Sequence, residues 1–487
     1  MKAKLLILVA LTAALSSIAA RPGKPTTPSS LILLYTSCAN GQIRSCNCTK
    51  FRFGGYGREM TVLKGIRSKS KDVLLIEGGD ACGGAGVQAS LKADVASQAM
   101  NTLGYGVMVP GEEELGVRGT RYIDKFTAAP SGSGKTQSVS SKTASRCPVI
   151  CANLFKRGSD KPLFPPYVVL KTAAGLRVAV IGLIDESLCS PWLGTTYDQV
   201  VKDPKEVLPA LVKQARAKAD IIVVVYHGVA DPASSLAKTK GIDLVLTTHP
   251  DDQNRIFPAK DSNTVDAPVG KLGSAVLVKS ETSTNWCLGR LDISLSNDRR
   301  ITSVKHKLLY LDRSYDEDPA MVKVYDDYNE KVKQATLAGA SLFRQNAEAM
   351  LAQRGLNIAD MRKRLHKSPF VTAGKCKDCH PEIYEIWSTS QHARAMDTLK
   401  KTHQEYDPEC VQCHVTGAVA RNGFANAKDT PELANVQCEA CHGAAETHIA
   451  KPARGFGQAG EQTCRSCHTT ERTPDFDYSV AWAKIMH

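Results

Sequence analysis

Aromatic residues are scarce in this sequence, at 6% of 487 positions. The lysines and arginines are scattered rather than interleaved with aromatics. The net charge of +13 therefore lacks the stacking-plus-phosphate pattern of a nucleic-acid surface. Long apolar runs are also missing, and a membrane-spanning helix needs about 20 such residues. The nearest approach is Leu5 to Leu15, preceded by Lys2 and Lys4 and followed by the small residues Ser17-Ile18-Ala19-Ala20. That order reads as a secretory signal over residues 1–20, cleaved after Ala20. No cysteine follows Ala20, which speaks against a lipid anchor. Losing Lys2 and Lys4 lowers the charge from +13 to +11. An exported, periplasmic protein with no transmembrane segment after cleavage is the expectation. A hydrophobic content of 43% leaves room for a sizeable core and gives no sign of wholesale disorder.

Cysteine is plentiful, with 16 residues, and in an exported chain that points to disulfides, metals or haem attachment. Half of the cysteines fall in four copies of one pattern. These are Cys376-Lys-Asp-Cys379-His380, Cys410-Val-Gln-Cys413-His414, Cys438-Glu-Ala-Cys441-His442 and Cys464-Arg-Ser-Cys467-His468. In C-x-x-C-H the two thiols form thioethers to haem vinyl groups, and the adjacent histidine becomes the proximal iron ligand. With this composition a single chance match has a probability of about 0.01, so four by accident are excluded. Zinc ribbons also use C-x-x-C pairs, but they do not explain a histidine after every second cysteine. Four haems c are therefore expected. At about thirty residues per haem the peptide is too short for a core of its own, so the haems must be the core.

Each iron also needs a sixth ligand or an open position. The spare histidines in or near this region are His366, His392, His403, His448 and His487, with Met396 and Met486 as weaker candidates. Residues 386–396 read as a helix carrying His392, and His448 lies six residues beyond proximal His442. Residues 370–470 resemble the multihaem cytochrome c family typified by the small tetrahaem carrier that accepts electrons during hydroxylamine oxidation. The matching text is Cys379-His380-Pro381-Glu382-Ile383-Tyr384-Glu385-Ile386-Trp387, Ser390-Gln391-His392-Ala393 and Cys441-His442-Gly443. The resemblance implies distal ligation by His392 and often by His448. It also implies redox partners, namely other cytochromes or a membrane quinol-linked complex. The tetrahaem domain is expected to span residues 369–487, starting after Ser368.

Residues 31–312 alternate strand-like and helix-like segments, which predicts an α/β layered domain. Residues 31–35, 73–76, 221–225 and 242–246 read as buried strands, and 168–184 as a hairpin around Ala173-Ala174-Gly175. Residues 205–219 and 94–103 read as helices. Polar residues gather just after the strands, where open α/β sheets place their sites: Cys38 and Asn40, Gly79 to Cys82, Glu112-Glu113-Glu114, His227-Gly228 and His249-Pro250-Asp251. These positions resemble the metallophosphoesterase domain of the 5'-nucleotidase family. Gly54-Gly55-Tyr56-Gly57-Arg58, Met100-Asn101-Thr102-Leu103-Gly104-Tyr105 and Cys151-Ala152-Asn153 match it as well.

The family binds two metals, and this chain keeps part of the set. By that resemblance Asp80 matches the bridging aspartate, and His227 and His249 match metal-binding histidines. Cys38 and Asn40 replace the first aspartate and histidine. Glu112-Glu113-Glu114 replaces Asn-His-Glu, so the asparagine ligand and the catalytic histidine are absent, and Asp251 replaces the last histidine. Asp80, His227 and His249 suffice for one divalent ion, with Cys38, Glu113 and Asp251 as further candidate ligands. The other cysteines, Cys38, Cys46, Cys48, Cys82, Cys147, Cys151, Cys189 and Cys287, fit structural disulfides, or a thiolate metal site or redox dithiol facing the haems.

Residues 129–136 match a loose phosphate-loop pattern, but no buried strand precedes them and small polar residues continue to Arg146, so they read as a surface insertion. Residues 313–368 form a helical linker, with Met321, Val324, Tyr325 and Tyr328 on one face. Three functions are compatible with this organisation. One is an electron carrier with a phosphatase-like docking or sensing module. The second is a redox enzyme acting on a small molecule. The third is a working hydrolase tethered to a cytochrome.

Overall fold

The structure is a computed structural model. It describes residues 30–487 except 46–52, 85, 117–120, 128–136, 139–146, 190–191, 250–257, 260–261, 281–285, 354–367, 419, 421, 470–471 and 474–475. The signal segment, Cys46, Cys48, the 129–136 loop, Asp251 and His366 lie outside the described residues.

Among the described residues, two large mixed sheets and a small two-stranded one, Leu154–Lys156 with Gln199–Val201, form the N-terminal region. The first runs, edge to edge, through Thr264–Ala267, Ile301–Tyr310, Cys287–Leu295, Ser30–Thr36, Val73–Glu77 and Val107–Met108. The second runs through Val269–Leu272, Ala275–Lys279, Leu244–Thr247, Ile221–His227, Arg177–Ile184, Tyr167–Lys171 and Gln137–Ser138. Ser30–Thr36 pairs in parallel with Val73–Glu77, Ile32 opposite Val73, and antiparallel with Cys287–Leu295. The expected hairpin is Tyr167–Lys171 against Arg177–Ile184, turned at Gly175, whose φ is +83°.

Side-chain alternation explains why these strands read as unbroken apolar runs. Ile221, Val223 and Val225 meet Leu31, Leu33, Tyr35 and Leu74 in a core between the two sheets. Their neighbours Ile222, Val224 and Tyr226 face outward onto Leu208, Val212 and Ala215 of the helix Pro204–Arg216. Both faces are therefore dry, in a helix–sheet–sheet–helix layering. Each fully buried Val or Leu contributes about 1.5–3 kcal/mol. A charge at Val223 would break the stack. Asp203 caps that helix by accepting the Lys205 N–H at 2.9 Å, with Pro204 in the first turn.

The helix Gly86–Leu103 starts eight residues before the expected 94–103. Its buried stripe in that added part is carried by alanines, Ala89 and Ala93, which give a weak apolar signal but let the helix lie close. The helix Pro319–Gln353 presents Met321, Val324, Tyr325, Tyr328 and Val332 to the same core. Residues 373–482 hold only short helices among the described residues, the longest being the nine-residue Pro381–Thr389. Their small apolar cluster is Met396, Leu399, Val415, Phe424 and Leu433.

The expected helix over 386–396 is broken. Pro381–Thr389 ends at Ser390, which is extended, and His392–Arg394 forms a separate turn before Ala395–Lys400. The break is held from afar: Trp387 Nε1 donates to the Val436 carbonyl at 2.8 Å and Val436 N–H donates to the His392 carbonyl at 3.1 Å. The two regions also touch. Gln88 donates to Asp407 at 2.5 Å, Lys92 pairs with Glu409 at 2.5 Å, and Asn329 donates to the Thr402 carbonyl at 3.1 Å.

Candidate functional site

In the N-terminal region the functional side chains sit at the carboxyl ends of the strands Ser30–Thr36, Val73–Glu77 and Ile221–His227. The loops there are tightly laced. Cys38 N–H donates to the Gly79 carbonyl and Asn40 N–H to the Asp80 carbonyl, each at 2.7 Å. Cys38, Asn40 and Asp80 all adopt positive φ, at 52°, 47° and 57°. Such backbone costs on the order of 1–3 kcal/mol per residue and persists only where the surroundings enforce it. Gly111 is required: a Cβ there would lie 2.1 Å from Asp80 Oδ1.

Glu114 enforces the arrangement. Its buried carboxylate accepts N–H donors from Asp80 at 2.9 Å, Gly111 at 2.9 Å and Cys82 at 3.0 Å, and the Cys82 thiol at 3.1 Å. Asp80 in turn accepts the Glu113 N–H at 3.0 Å. His227 lies with Nδ1 2.7 Å from the Gly78 carbonyl, which can only accept, so Nδ1 carries hydrogen and Nε2 faces the site. Nε2 is 2.9 Å from Glu112 and 3.4 Å from Asp80, and His249 Nε2 is 3.7 Å from the other Glu112 oxygen. The buried His249 Nδ1 has no hydrogen-bond partner among the described residues. Cys38 Sγ reaches within 4.0 Å of Asp80 and 3.4 Å of the Thr248 carbonyl.

Burial would raise the Asp80 pKa, but the charge and hydrogen bond of His227 win and hold it below its usual range. Burial would lower the His227 pKa, but Asp80 and Glu112 hold it well above its ordinary value. The site thus favours positive charge at Nε2. Burial first, then the surrounding carboxylates, push the Cys38 and Cys82 thiols well upward. That is the opposite of an activated redox thiolate. Two groupings have metal-ligand spacing among the described residues, Cys38–Asp80–His227 and Asp80–Glu112–His249, with donor atoms within 4.8 Å of one another.

In the C-terminal region Cys438–His442 is a single helical turn, and each of the other C-x-x-C-H copies runs from the end of a short helix into a tight turn. For example, His380 N–H donates to the Cys376 carbonyl at 2.9 Å and His468 N–H to the Cys464 carbonyl at 2.9 Å. Positions i, i+3 and i+4 share a face of such a turn, which gathers both thiols and the imidazole. Tertiary contacts bring the motifs close to one another, Cys441 of the third lying near Cys464 and Cys467 of the fourth. The Cys376 thiol lies beside that of Cys438, and Cys413 beside Cys467. The first pairing is braced by buried Glu439, which accepts the N–H groups of Val371, Thr372 and Ala445 at 2.8–3.0 Å.

Residues 375–443 match the family model described as cytochrome c554 and c-prime. Over 116 residues the chain is 31% identical to cytochrome c-554 of Nitrosomonas europaea, covering 20% of this chain and 49% of that protein. Over 274 residues it is 25% identical to a 2',3'-cyclic-nucleotide 2'-phosphodiesterase/3'-nucleotidase of Salmonella typhimurium, covering 50% of this chain and 39% of that one. The chain joins a cytochrome c554-like region to a metallophosphoesterase-like region. It spans less than half the length of these curated relatives. The solved 5'-nucleotidase precursor of Thermus thermophilus aligns over 62% of this chain and 59% of that chain, with 20% identity and a TM-score of 0.49.

In the phosphoesterase-like region the structure brings together Cys38, Asp80, His227 and His249. It places the Glu112 carboxylate, not that of Glu113, between the two histidines. The sequence points to Glu113 only as one of three consecutive glutamates, which carry no register. The one-turn helix Glu112–Leu115 points them apart, and only its docking decides which faces the site. The donor set of two imidazoles and two carboxylates fits a divalent cation.

In the cytochrome-like region two non-motif histidines lie near motif ones. The ring centroids of His392 and His468 are 6.3 Å apart, and those of His442 and His487 are 5.6 Å apart. His448 instead stacks on Phe456 at 4.4 Å, and His403 is exposed with a φ of 56°. Met396 is buried in the small apolar cluster and Met486 is exposed. These thiols and imidazoles fit covalent haem.

Proposed function

We propose that this protein is an exported electron carrier with four covalent haems on residues 369–487. We propose further that its region 31–312 binds one divalent ion and does not hydrolyse nucleotides at a family-like rate. The observation that carries the first part is the fourfold C-x-x-C-H, each copy wound into a tight helical or turn segment. A haem supplies one-electron exchange at a potential set by its axial ligands and surroundings. The chain's own contribution is to attach, orient and pack. Cys376/Cys379, Cys410/Cys413, Cys438/Cys441 and Cys464/Cys467 anchor. His380, His414, His442 and His468 ligate from the proximal side. The nearness of the first motif to the third, the second to the fourth and the third to the fourth supports closely spaced redox groups. The signal segment supports export. Other cytochromes or a membrane quinol-linked complex are the fitting partners. No described helix is long and apolar enough to cross a membrane.

The second part rests on ligand count. Two-metal hydrolysis clamps two ions about 3.5–4 Å apart. The donors fall in two overlapping groupings, Cys38–Asp80–His227 and Asp80–Glu112–His249, that share Asp80, too few hard ligands to clamp two dications, and the proton-donating imidazole is replaced by Glu113. The test uses the purified full-length holoprotein. Its mass should show four haems; three or fewer in a fully matured sample refute the carrier reading. Metal analysis should give one ion beyond the haem iron. Turnover of nucleotides with manganese, zinc or iron should lie far below a typical ~10 per second. Two extra ions, or turnover within about tenfold of that value, refute the single-ion reading.

A further inference from the structure

We propose that His487 is the distal axial ligand of the haem whose proximal ligand is His442, closing that iron as a bis-imidazole centre. The assignment rests on the multihaem reading above and deepens it. The family model stops at residue 443, so His487 lies outside the matched segment.

Tautomer comes first. A neutral histidine binds metal through the ring nitrogen that carries no hydrogen, and a hydrogen bond from the other nitrogen fixes which one that is. His442 Nδ1 lies 2.5 Å from the Gly457 carbonyl, and His487 Nδ1 lies 3.1 Å from the Ile485 carbonyl. A carbonyl only accepts, so both Nδ1 atoms carry hydrogen and both Nε2 lone pairs are left for a metal.

Spacing comes second. Metal–imidazole bonds are about 2 Å long, and with about 1 Å from each nitrogen to its ring centre, two ligands on opposite sides of one iron have centroids about 6 Å apart. The His442 and His487 rings are 5.6 Å apart, tilted by 55°. His392 and His468 show the same spacing at 6.3 Å. The stacked His448–Phe456 pair, in contact, is at 4.4 Å.

The local chain is shaped for this approach. Asp477 caps the helix Tyr478–Trp482 by accepting the Val480 N–H at 3.2 Å. The Ile485 and Met486 N–H groups then fold back onto the Trp482 carbonyl at 3.0 and 2.8 Å, which swings His487 round to His442. On the opposite side Gly457 has a φ of +54°, and any Cβ there would fall 1.9 Å from the His442 carbonyl oxygen. Only glycine lets that loop come close enough to hold His442 Nδ1.

The experiment compares full-length parent, His487→Ala and Met486→Ala holoproteins, with haem number read by mass and ferric spin states by electron paramagnetic resonance. In His487→Ala one haem per chain should pass from low to high spin, and the reduced protein should bind one more equivalent of carbon monoxide. Added imidazole should restore the low-spin signal. Met486→Ala should match the parent. An unchanged low-spin complement in His487→Ala with all haems attached overturns the assignment, as does loss of a low-spin haem in Met486→Ala. A parent with no haem on Cys438 and Cys441 overturns the four-haem reading itself, a result the mass distinguishes from the first.

Discussion

Replacing Glu114 tests whether the strand-end site is built as described. Its two oxygens take four donors at 2.9–3.1 Å in a fully buried setting. Alanine would strand three backbone N–H groups and one thiol, each unsatisfied buried donor costing about 1–3 kcal/mol. Water entering the vacated space recovers part of this, so the expected loss is about 4 kcal/mol. For a region of this size that corresponds to a fall in Tm of about 8–16 °C. Glu114→Gln keeps one acceptor oxygen but turns an amide NH2 toward the remaining donors, for about half that loss. Because Asp80 and Gly111 are tethered through Glu114, affinity of the site for a divalent ion should also drop about 10–100-fold in Glu114→Ala. Calorimetry of the holoprotein and metal titration measure the two effects. A Glu114→Ala protein that melts within about 2 °C of the parent and retains its metal affinity would refute the reasoning.

Burial pushes the His306 pKa down to about 4, and its Nε2 is 2.8 Å from the Tyr35 hydroxyl. The unfolded chain binds more protons between about pH 6.5 and 4, so the stability from the neutral ring is full above that window. It is lost as pH falls through it, by about 3 kcal/mol in all. Thermal unfolding of His306→Gln should show a flatter acid limb than the parent, and equal slopes would sink the attribution. At the junction between regions, Lys92 is 11% exposed and pairs with Glu409, which is 46% exposed. The pair itself is worth at most about 1 kcal/mol. Lys92→Glu should speed hydrogen exchange over residues 402–411, and adding Glu409→Lys should restore it; no change in Lys92→Glu rejects this contact.

What the sequence determined by itself is whatever depends on near neighbours in the chain. The C-x-x-C-H pattern depends on i, i+3 and i+4 alone, so the positions proposed to attach haem needed no fold. The apolar runs around 31–35, 73–76 and 221–225 are strands because they are dry on both faces. The helix expected over 205–219, which the structure gives as Pro204–Arg216, showed itself through Leu208, Val212 and Ala215. Tertiary structure decided what joins distant positions. His227 meets Glu112 across 115 residues and Gly78 across 149, so no local pattern could choose Glu112 over Glu113. The 386–396 helix breaks because Val436 grips it from 44 to 49 residues away. The alanine-rich start of Gly86–Leu103 was invisible to a pattern that counts large apolar residues, since close approach, not bulk, is what those alanines provide. The motif pairing and the meeting of His442 with His487 depend on loops whose path is set by Glu439, Gly457 and Asp477, single residues whose effect exists only once the chain has folded around them.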